Sequence, residues 1–383
     1  MPSLLLYNIG KFLFNKKALF SLNKVYMKTA LVIPIYQPCD KALPFLSTID
    51  PTSFERIVIV DDGSGEKFKP IFDEIGKLEN FTVISYPDNH GKGYALKTGF
   101  KYVRDNLPEV KGIVTADGDG QHALEDILRV RDELSEKGDH LVLGVRDFSS
   151  PDTPRRNRFG NRFSSGYFKM STGVKVTDTQ TGLRGIPENL FEIALTTVGD
   201  RYEFEFNFLN DAVRAAKLSQ ITIKTIYDEN ANSHFHPIKD SFRIYRTPIL
   251  YLLVALSSFA IDFGLFATIH YFGPTELPWE VLVPYVGARL VSGPYNFFMN
   301  NYVVFPGPEG FGRKLGRYAF VFVINMCLGL GLLYLFDYVF PENFGLTLLK
   351  VFVEAIIFIV NFFVSKTFIF ARKLRKKRKG ETK

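Results

Sequence analysis

The sequence predicts two units: an open α/β domain up to about residue 246, then an all-α membrane domain of four helices. Three observations predict this. Short apolar runs in the first two thirds end in acidic or glycine-rich turns. One such turn, KGIVTADGDGQH at 111–122, carries two carboxylates one residue apart. Beyond residue 246 long apolar segments dominate, and a chain of 383 residues has room for two domains of ordinary size.

Residues 1–28 place apolar triplets at 4–6, 12–14 and 18–20 between lysines. These runs are too short for a secretory signal, so a basic amphipathic segment or a disordered lead-in is expected. LVIPIY at 31–36 reads as a buried strand. RIVIVDDGS at 56–64 sets Asp61 and Asp62 at a strand's carboxyl end, where open α/β sheets bind ligands. NHGKGYALKTG at 89–99 is a glycine-rich turn holding Lys92 ahead of a helix. Backbone N–H groups at a helix start, with a lysine, suit phosphate, although the P-loop spacing is absent. At 111–122, side-chain alternation lets Asp117, Asp119 and Gln121 point to one side of a strand end. Hard oxygen ligands of that kind suit Mg²⁺ or Mn²⁺. Taken singly, each segment is an ordinary strand, turn or helix cap; their succession points to phosphate chemistry.

LVIPIY, VDDGS, NHGKGYALKTGF and ADGDGQH together resemble the successive motifs of the family 2 inverting glycosyltransferases, which have the Rossmann-like α/β GT-A fold. The branch is similar to dolichyl- and undecaprenyl-phosphate hexose synthases. The resemblance covers residues 29–240 and continues in GVRDF at 144–148, PRRNRFGNRF at 154–163, TDTQTGLRG at 177–185 and YEFEFNFL at 202–209. The GT-A domain is therefore expected over 29–236.

The resemblance implies transfer of a hexose from a nucleotide sugar, GDP-mannose or UDP-glucose, to a polyprenyl phosphate, dolichyl or undecaprenyl. It implies Mg²⁺ or Mn²⁺ on Asp117, Asp119 and Gln121, neutralising the leaving diphosphate. Pro34, Tyr36 and Asp62 would hold base and ribose, with Lys92, Asp117, Gly118 and His234 completing the donor site. His234, within NSHF, stands where related mannose synthases have a lysine. Asp119, Asp178 and Arg158 are the expected catalytic residues; Asp178 either orients the nucleophile or caps a helix. Gln180 and Arg184 are weaker candidates. A lipid phosphate with a second pKa near about 6 is already a nucleophile at neutral pH and needs cationic positioning. Arg146, Arg155, Arg156, Arg158 and Arg162 form the supply, with Arg146, Arg158 and Arg162 expected on the acceptor phosphate.

Net charge +7 does not imply a nucleic-acid partner. The tail 371–383 holds eight Lys and Arg against one Glu, a surplus equal to that of the whole chain. A basic block after a membrane span is an anchor for anionic headgroups. Cys39 and Cys327 offer neither a disulfide framework nor a zinc site.

Four segments, 248–272, 281–305, 318–340 and 347–370, are long enough to cross a bilayer. Connections 273–280 and 341–345 hold Glu276, Glu280 and Glu342 without Lys or Arg, whereas 306–317 holds Arg313, Lys314 and Arg317. By the positive-inside rule both termini and the catalytic domain are cytoplasmic. Residues 237–250 set Ile238, Phe242, Tyr245 and Ile249 on one face, predicting an interfacial helix over 237–247. A membrane domain over 248–370 and a basic tail over 371–383 follow.

YNFFMNNYVVF at 295–305 and VNFFVSKTFIF at 360–370 align at an offset of 65 and resemble a GtrA-type four-helix domain. The same offset pairs Arg289 with Glu354, an expected intramembrane ion pair. Such a domain would anchor the enzyme in membrane lipids and support a homo-oligomer; translocation of a lipid-linked sugar is the alternative. A processive polysaccharide synthase is a further rival, but the lone Trp279 lies in no QxxRW motif.

Overall fold

The structure, a computed structural model, describes residues 27–149, 153, 155–224, 246–273, 279–306, 310–339, 351–354, 357–358, 361, 364–365 and 369. The chain divides into two units, Met1–Phe235 and His236–Lys383. The expected lead-in up to residue 26, the interfacial helix through residue 245, His234 and the basic tail lie outside the described residues.

The first unit is built on a seven-stranded sheet. Its strands are β1 (Thr29–Ile35), β2 (Arg56–Asp61), β3 (Phe81–Ser85), β4 (Gly112–Thr115), β5 (Leu141–Arg146), β6 (Arg184–Pro187) and β7 (Leu218–Ile223). Helices α1 (Ala42–Ser47), α2 (Lys69–Ile75), α3 (Lys92–Asn106), α4 (Leu124–Lys137), α5 (Arg155–Thr172), α6 (Phe191–Thr196) and α7 (Glu203–Ala212) connect them. Every residue of β1 and β4 is buried, as expected for central strands covered on both faces. Leu31, Ile33, Ile57, Ile59 and Val114 pack with Ile127, Val130 and Leu134 of α4 in one core.

The sheet order is β3-β2-β1-β4-β6-β5-β7. Strands β1 to β4 pair in parallel, and β6 enters antiparallel between β4 and β5. The chain winds one way from β1 to β3 and then crosses to β4, so β1 and β4 flank the topological switch point. Because β6 runs backwards, its first residue, Arg184, pairs with Thr115 at the end of β4. The ends of β1, β2, β4 and β5 and the start of β6 thus share one edge.

The second unit contains α8 (Arg246–Phe272), α9 (Trp279–Met299), which runs on as a π-turn over Asn300–Val304, and α10 (Phe311–Val339). Residues 351–354, 357–358, 361 and 364, within the fourth expected segment, are helical. Among the described residues, Arg246–Phe272 and Phe311–Leu335 are long and apolar enough to cross a membrane, with hydropathies of 2.1 and 2.0. Leu252, Leu253, Leu256, Phe320, Val323 and Ile324 are exposed, an apolar exterior suited to lipid. Helix α10 begins seven residues ahead of the expected span, taking in Arg313, Lys314 and Arg317. Lys314 is buried there, and its Nζ donates to Asn301 Oδ1 at 3.2 Å.

Candidate active site

At the end of β2, Asp62 is buried and organises the glycine-rich loop. Its carboxylate accepts from Tyr86 Oη at 2.8 Å, Asn89 Nδ2 at 2.9 Å, and the backbone N–H groups of His90 at 3.0 Å and Gly91 at 2.9 Å. Burial and this carboxylate push the Tyr86 hydroxyl pKa well up, so it stays a donor. The bonds draw the loop over β2 and deliver the first residue of α3, Lys92, to the site. Gly91 has φ 107°, and a Cβ there would press on Asp200 and Arg201. Asp62 therefore shapes the loop, beyond the ribose contact expected of it. Pro34 is buried in β1 opposite Val60, and Tyr36 is half-buried just past the strand.

The second cluster centres on Asp117, two residues beyond β4. Lys92 Nζ lies 2.7 Å from Asp117 Oδ1 and 3.0 Å from Glu205 Oε1, while His122 Nε2 lies 3.2 Å from Asp117 Oδ2. Burial alone would raise the Asp117 carboxyl, but Lys92 and His122 outweigh it and hold it well below the usual range. Burial alone would lower Lys92, yet Asp117 and Glu205 hold its pKa above the ordinary value. Gly182 lies against this carboxylate: a Cβ there would stand 2.5 Å from Asp117 Oδ2. Gly118 is equally constrained, since its Cβ would meet Ile35 Cγ1 at 2.5 Å. Its glycine serves packing against β1 as well as any donor contact.

Asp119 has the opposite electrostatics. Its Oδ1 accepts from the Gln121 N–H at 3.0 Å, and no cationic side chain pairs with it among the described residues. Desolvation and the Asp117 charge push its carboxyl above the ordinary value. The expected convergence of Asp117, Asp119 and Gln121 on one ion is thereby narrowed. Both Asp117 oxygens already have partners, Lys92 Nζ and His122 Nε2, and the described residues contain no group of three His, Cys, Asp or Glu placed to ligate a metal. An uncompensated Asp119 with room for water or phosphate oxygens still fits a Mg²⁺- or Mn²⁺-type ion, which keeps open positions.

The third cluster joins two residues expected to act separately. Arg146, at the end of β5, grips Asp178 in two places, Nε to Oδ2 at 2.7 Å and Nη2 to Oδ1 at 3.2 Å. Asp178 is fully buried and also accepts the Gln180 N–H at 3.1 Å, a turn-forming bond. It positions Arg146, whose side chain remains about a third exposed at 35%. Helix α5 carries Arg158, half-buried with Nη2 at 3.5 Å from the Thr153 carbonyl, and Arg155 and Arg162, both exposed. The Arg156 side chain, like His234, lies outside the described residues. Arg184 is buried, donating to the Thr181 and Glu205 carbonyls at 2.9 and 2.8 Å. It braces the cluster from beneath.

Sequence reasoning passed over Glu205, His122, Tyr86 and Asn89 as site residues. Glu205 had a signal: an acid set among phenylalanines in YEFEFNFL has to find a partner when buried. For Tyr86 and Asn89 there was none, since only the folded loop brings them to Asp62.

Residues 32–192 match glycosyl transferase family 2, and residues 250–370 match the GtrA/DPMS transmembrane domain. An uncharacterized protein of Methanocaldococcus jannaschii is 31% identical over 222 residues, covering 56% of this chain and 88% of that protein. The chain belongs to glycosyl transferase family 2. This glycosyltransferase is also 27% identical over 238 residues to the UDP-N-acetylglucosamine–dolichyl-phosphate N-acetylglucosaminyltransferase of Methanococcus voltae, covering 56% of this chain and 92% of the relative. It is 25% identical over 253 residues to glycosyltransferase AglJ of Haloferax volcanii, covering 61% and 78%. Among solved structures it is similar to glucosyl-3-phosphoglycerate synthase from Mycobacterium tuberculosis, with TM-score 0.43, 17% identity and coverage of 59% and 78%. It is thus a transferase and, with its GtrA/DPMS domain, a membrane protein.

Proposed function

We propose that this glycosyltransferase moves a sugar from a nucleotide sugar to a polyprenyl phosphate, dolichyl or undecaprenyl, at the cytoplasmic membrane face, with inversion at the anomeric carbon. The carrying observation is the split pair beyond β4: Asp117 is held by Lys92 and the His122 ring, whereas Asp119 makes no ion pair among the described residues and its carboxyl is raised. That is an arrangement prepared for a divalent cation and a diphosphate at the switch point. The membrane domain and the dolichyl phosphate in the Methanococcus relative's name support the acceptor. That name also extends the donor beyond a plain hexose to an N-acetylhexosamine.

In this reading Asp119 and Gln121 would hold Mg²⁺ or Mn²⁺, helped by Asp117. Bound there, the ion supplies positive charge for the departing diphosphate. Pro34 and Tyr36 border the base, and the Asp62-organised loop brings Lys92 to the donor site. Arg146, held by Asp178, and Arg158 and Arg162 on α5 position the acceptor phosphate, which attacks without a strong base. His234 is a further donor contact in this proposal.

The test is purified full-length protein with a polyprenyl phosphate, Mn²⁺ or Mg²⁺, and a panel of UDP- and GDP-sugars that includes UDP-N-acetylglucosamine. A lipid-phosphate sugar product supports the reading; full activity in EDTA, or transfer only to soluble acceptors, overturns it. The proposed orientation is checked by cysteines at Thr275 and Asn343, expected to label from outside intact cells, and at Gly310, expected to label only after lysis.

A further inference from the structure

In the membrane unit a buried charge finds its partner: Arg289 Nη2 bonds Glu354, as the 65-residue offset anticipates. In the catalytic unit the outer face of α5 has no such account. The helix reads RRNRFGNRFSSGYFKMST, five basic residues and no acid.

Its inner face is firmly seated. Ser164 and Phe168 are fully buried; the Phe168 ring meets Phe206 edge-on at 5.7 Å, and Tyr167 stacks on Phe206 at 6.0 Å. Asn161 Nδ2 donates to the Thr177 carbonyl at 2.7 Å, and Ser164 Oγ lies 2.5 Å from Thr179 Oγ1. A helix packed by one face ordinarily turns polar residues outward. Here the outward side carries Phe159, Phe163 and Met170, exposed at 74%, 57% and 62%. Their spacing puts them in one stripe along three turns. Beside the stripe run Arg155, Arg162 and Lys169, each two turns from the next and all exposed. A Cβ at Gly166, on the same stripe, would meet open space.

An apolar stripe edged by cations is the pattern of a helix lying in a lipid–water interface. The cations decide between occupants. Two copies meeting through this stripe would set like-charged rows against each other, which opposes association. An anionic bilayer surface accommodates both features: acyl chains receive the rings, and headgroups receive the cations, each raising partitioning roughly fivefold. The membrane domain on the same chain keeps such a surface at high effective concentration. We propose that α5 docks along the surface of an anionic bilayer, with Phe159, Phe163 and Met170 among the upper acyl chains and Arg155, Arg162 and Lys169 at the headgroup phosphates. The docking rests on the membrane domain and not on sugar transfer. Where the proposed reaction holds, the same seating sets Arg158 and Arg162 at the depth of an acceptor's phosphate.

The experiment uses the full chain carrying Cys39→Ser and Cys327→Ser, in nanodiscs that hold single chains. An environment-sensitive fluorophore is attached through Gly166→Cys on the stripe or, as the control, through Lys101→Cys at an exposed position of α3. Lipids with a nitroxide high on the acyl chain are the quencher. In phosphatidylglycerol nanodiscs the Gly166→Cys probe should be quenched and the Lys101→Cys probe should not. Phosphatidylcholine alone should weaken that quenching. Arg155→Gln with Lys169→Gln should lower the docked-to-undocked ratio read from it by about fivefold per charge. Phe159→Ser with Phe163→Ser should abolish it at an unchanged unfolding midpoint, since both rings are exposed. Should either pair of substitutions lower that midpoint, the lipid-charge comparison on Gly166→Cys decides alone. Equal quenching at the two positions, or quenching indifferent to lipid charge, overturns the proposal. So does an unquenched Gly166→Cys probe on a chain that forms disulfide-linked dimers through that cysteine, which would assign the face to a second copy. No substrate enters these measurements, so the proposed reaction stands or falls separately.

Discussion

Lys92 Nζ lies 2.7 Å from Asp117 Oδ1 and 3.0 Å from Glu205 Oε1, one cation holding two acids from distant parts of the chain. Its removal leaves both carboxylates in a largely desolvated place. Lys92→Met should therefore destabilise the catalytic unit by about 3 kcal/mol, read from chemical unfolding of the full chain. Glu205→Gln in the same protein should restore part of that loss; an unchanged midpoint in Lys92→Met would show the pair to be worth little. The pH dependence has a definite sign. Asp117 is depressed, so its stabilisation is complete above 3.8 and lost as pH falls through its lower folded value. Lys92 is raised, so its stabilisation is complete below 10.5 and lost as pH rises through its higher folded value. The Lys92→Met deficit should be constant between those limits.

Asp119 should set the metal dependence. Asp119→Asn should lower kcat by about 10²–10³-fold, the scale for losing charge stabilisation of a leaving group. Its carboxyl is raised, so protons compete with the cation at higher pH than at an ordinary aspartate. At limiting Mn²⁺ the acid limb of activity should stand above 3.8 and move down as Mn²⁺ is added. An acid limb indifferent to Mn²⁺ would separate Asp119 from the metal.

Asp178 should act through Arg146. Asp178→Asn keeps the size but loosens the two-point grip, so KM for polyprenyl phosphate should rise while affinity for the nucleotide product holds. Arg158→Ala should do the same, with a loss of about 1.5–3 kcal/mol for a charge-assisted phosphate contact, or roughly ten- to a hundredfold in kcat/KM. Arg158→Lys should rescue only in part, because lysine lacks the planar two-point grip. Loss of nucleotide affinity with normal acceptor kinetics would move these arginines to the donor site.

The Asp62 hub should govern donor binding through the loop. Tyr86→Phe removes one bond of the set and should cost about 1 kcal/mol of stability. Asp62→Ala strands several buried donors and should weaken nucleotide binding measured by calorimetry far more than it changes acceptor KM. Equal effects on both substrates would argue against a loop-specific role.

Gly182→Ala tests the closeness of the loop before β6 to the Asp117 cluster. A methyl 2.5 Å from Asp117 Oδ2 must displace that carboxylate, so transfer should fall more steeply than the unfolding midpoint. A wild-type rate would show that the loop gives way at no cost.

Much of this site was legible before folding, for local reasons. An apolar run that ends in acids announces a strand's carboxyl end, which is how Asp62, Asp117 and Asp119 were found. Lys92 announced itself by its glycines. What stayed hidden was partnership. The reading that gathered Asp117, Asp119 and Gln121 around one ion followed strand alternation, but the strand β4 ends at Thr115 and the acids lie in the turn beyond it.

The sequence by itself determined the two-unit plan, the acidic strand ends and the Arg289–Glu354 pair, because hydropathy, residue alternation and a fixed repeat offset are properties of neighbouring or regularly spaced residues. Only the tertiary structure decided which acids carry a countercharge. Asp178 reaches Arg146 and Gly182 reaches Asp117 because β6 enters the sheet antiparallel between β4 and β5 and brings its preceding loop to the shared edge, while Glu205 reaches Lys92 from α7, where Phe204 packs against Phe100 of α3. Strand order is a global outcome of packing the whole core, and no local pattern encodes it. The ionisation of each carboxyl follows from that order, through the charges it is made to face.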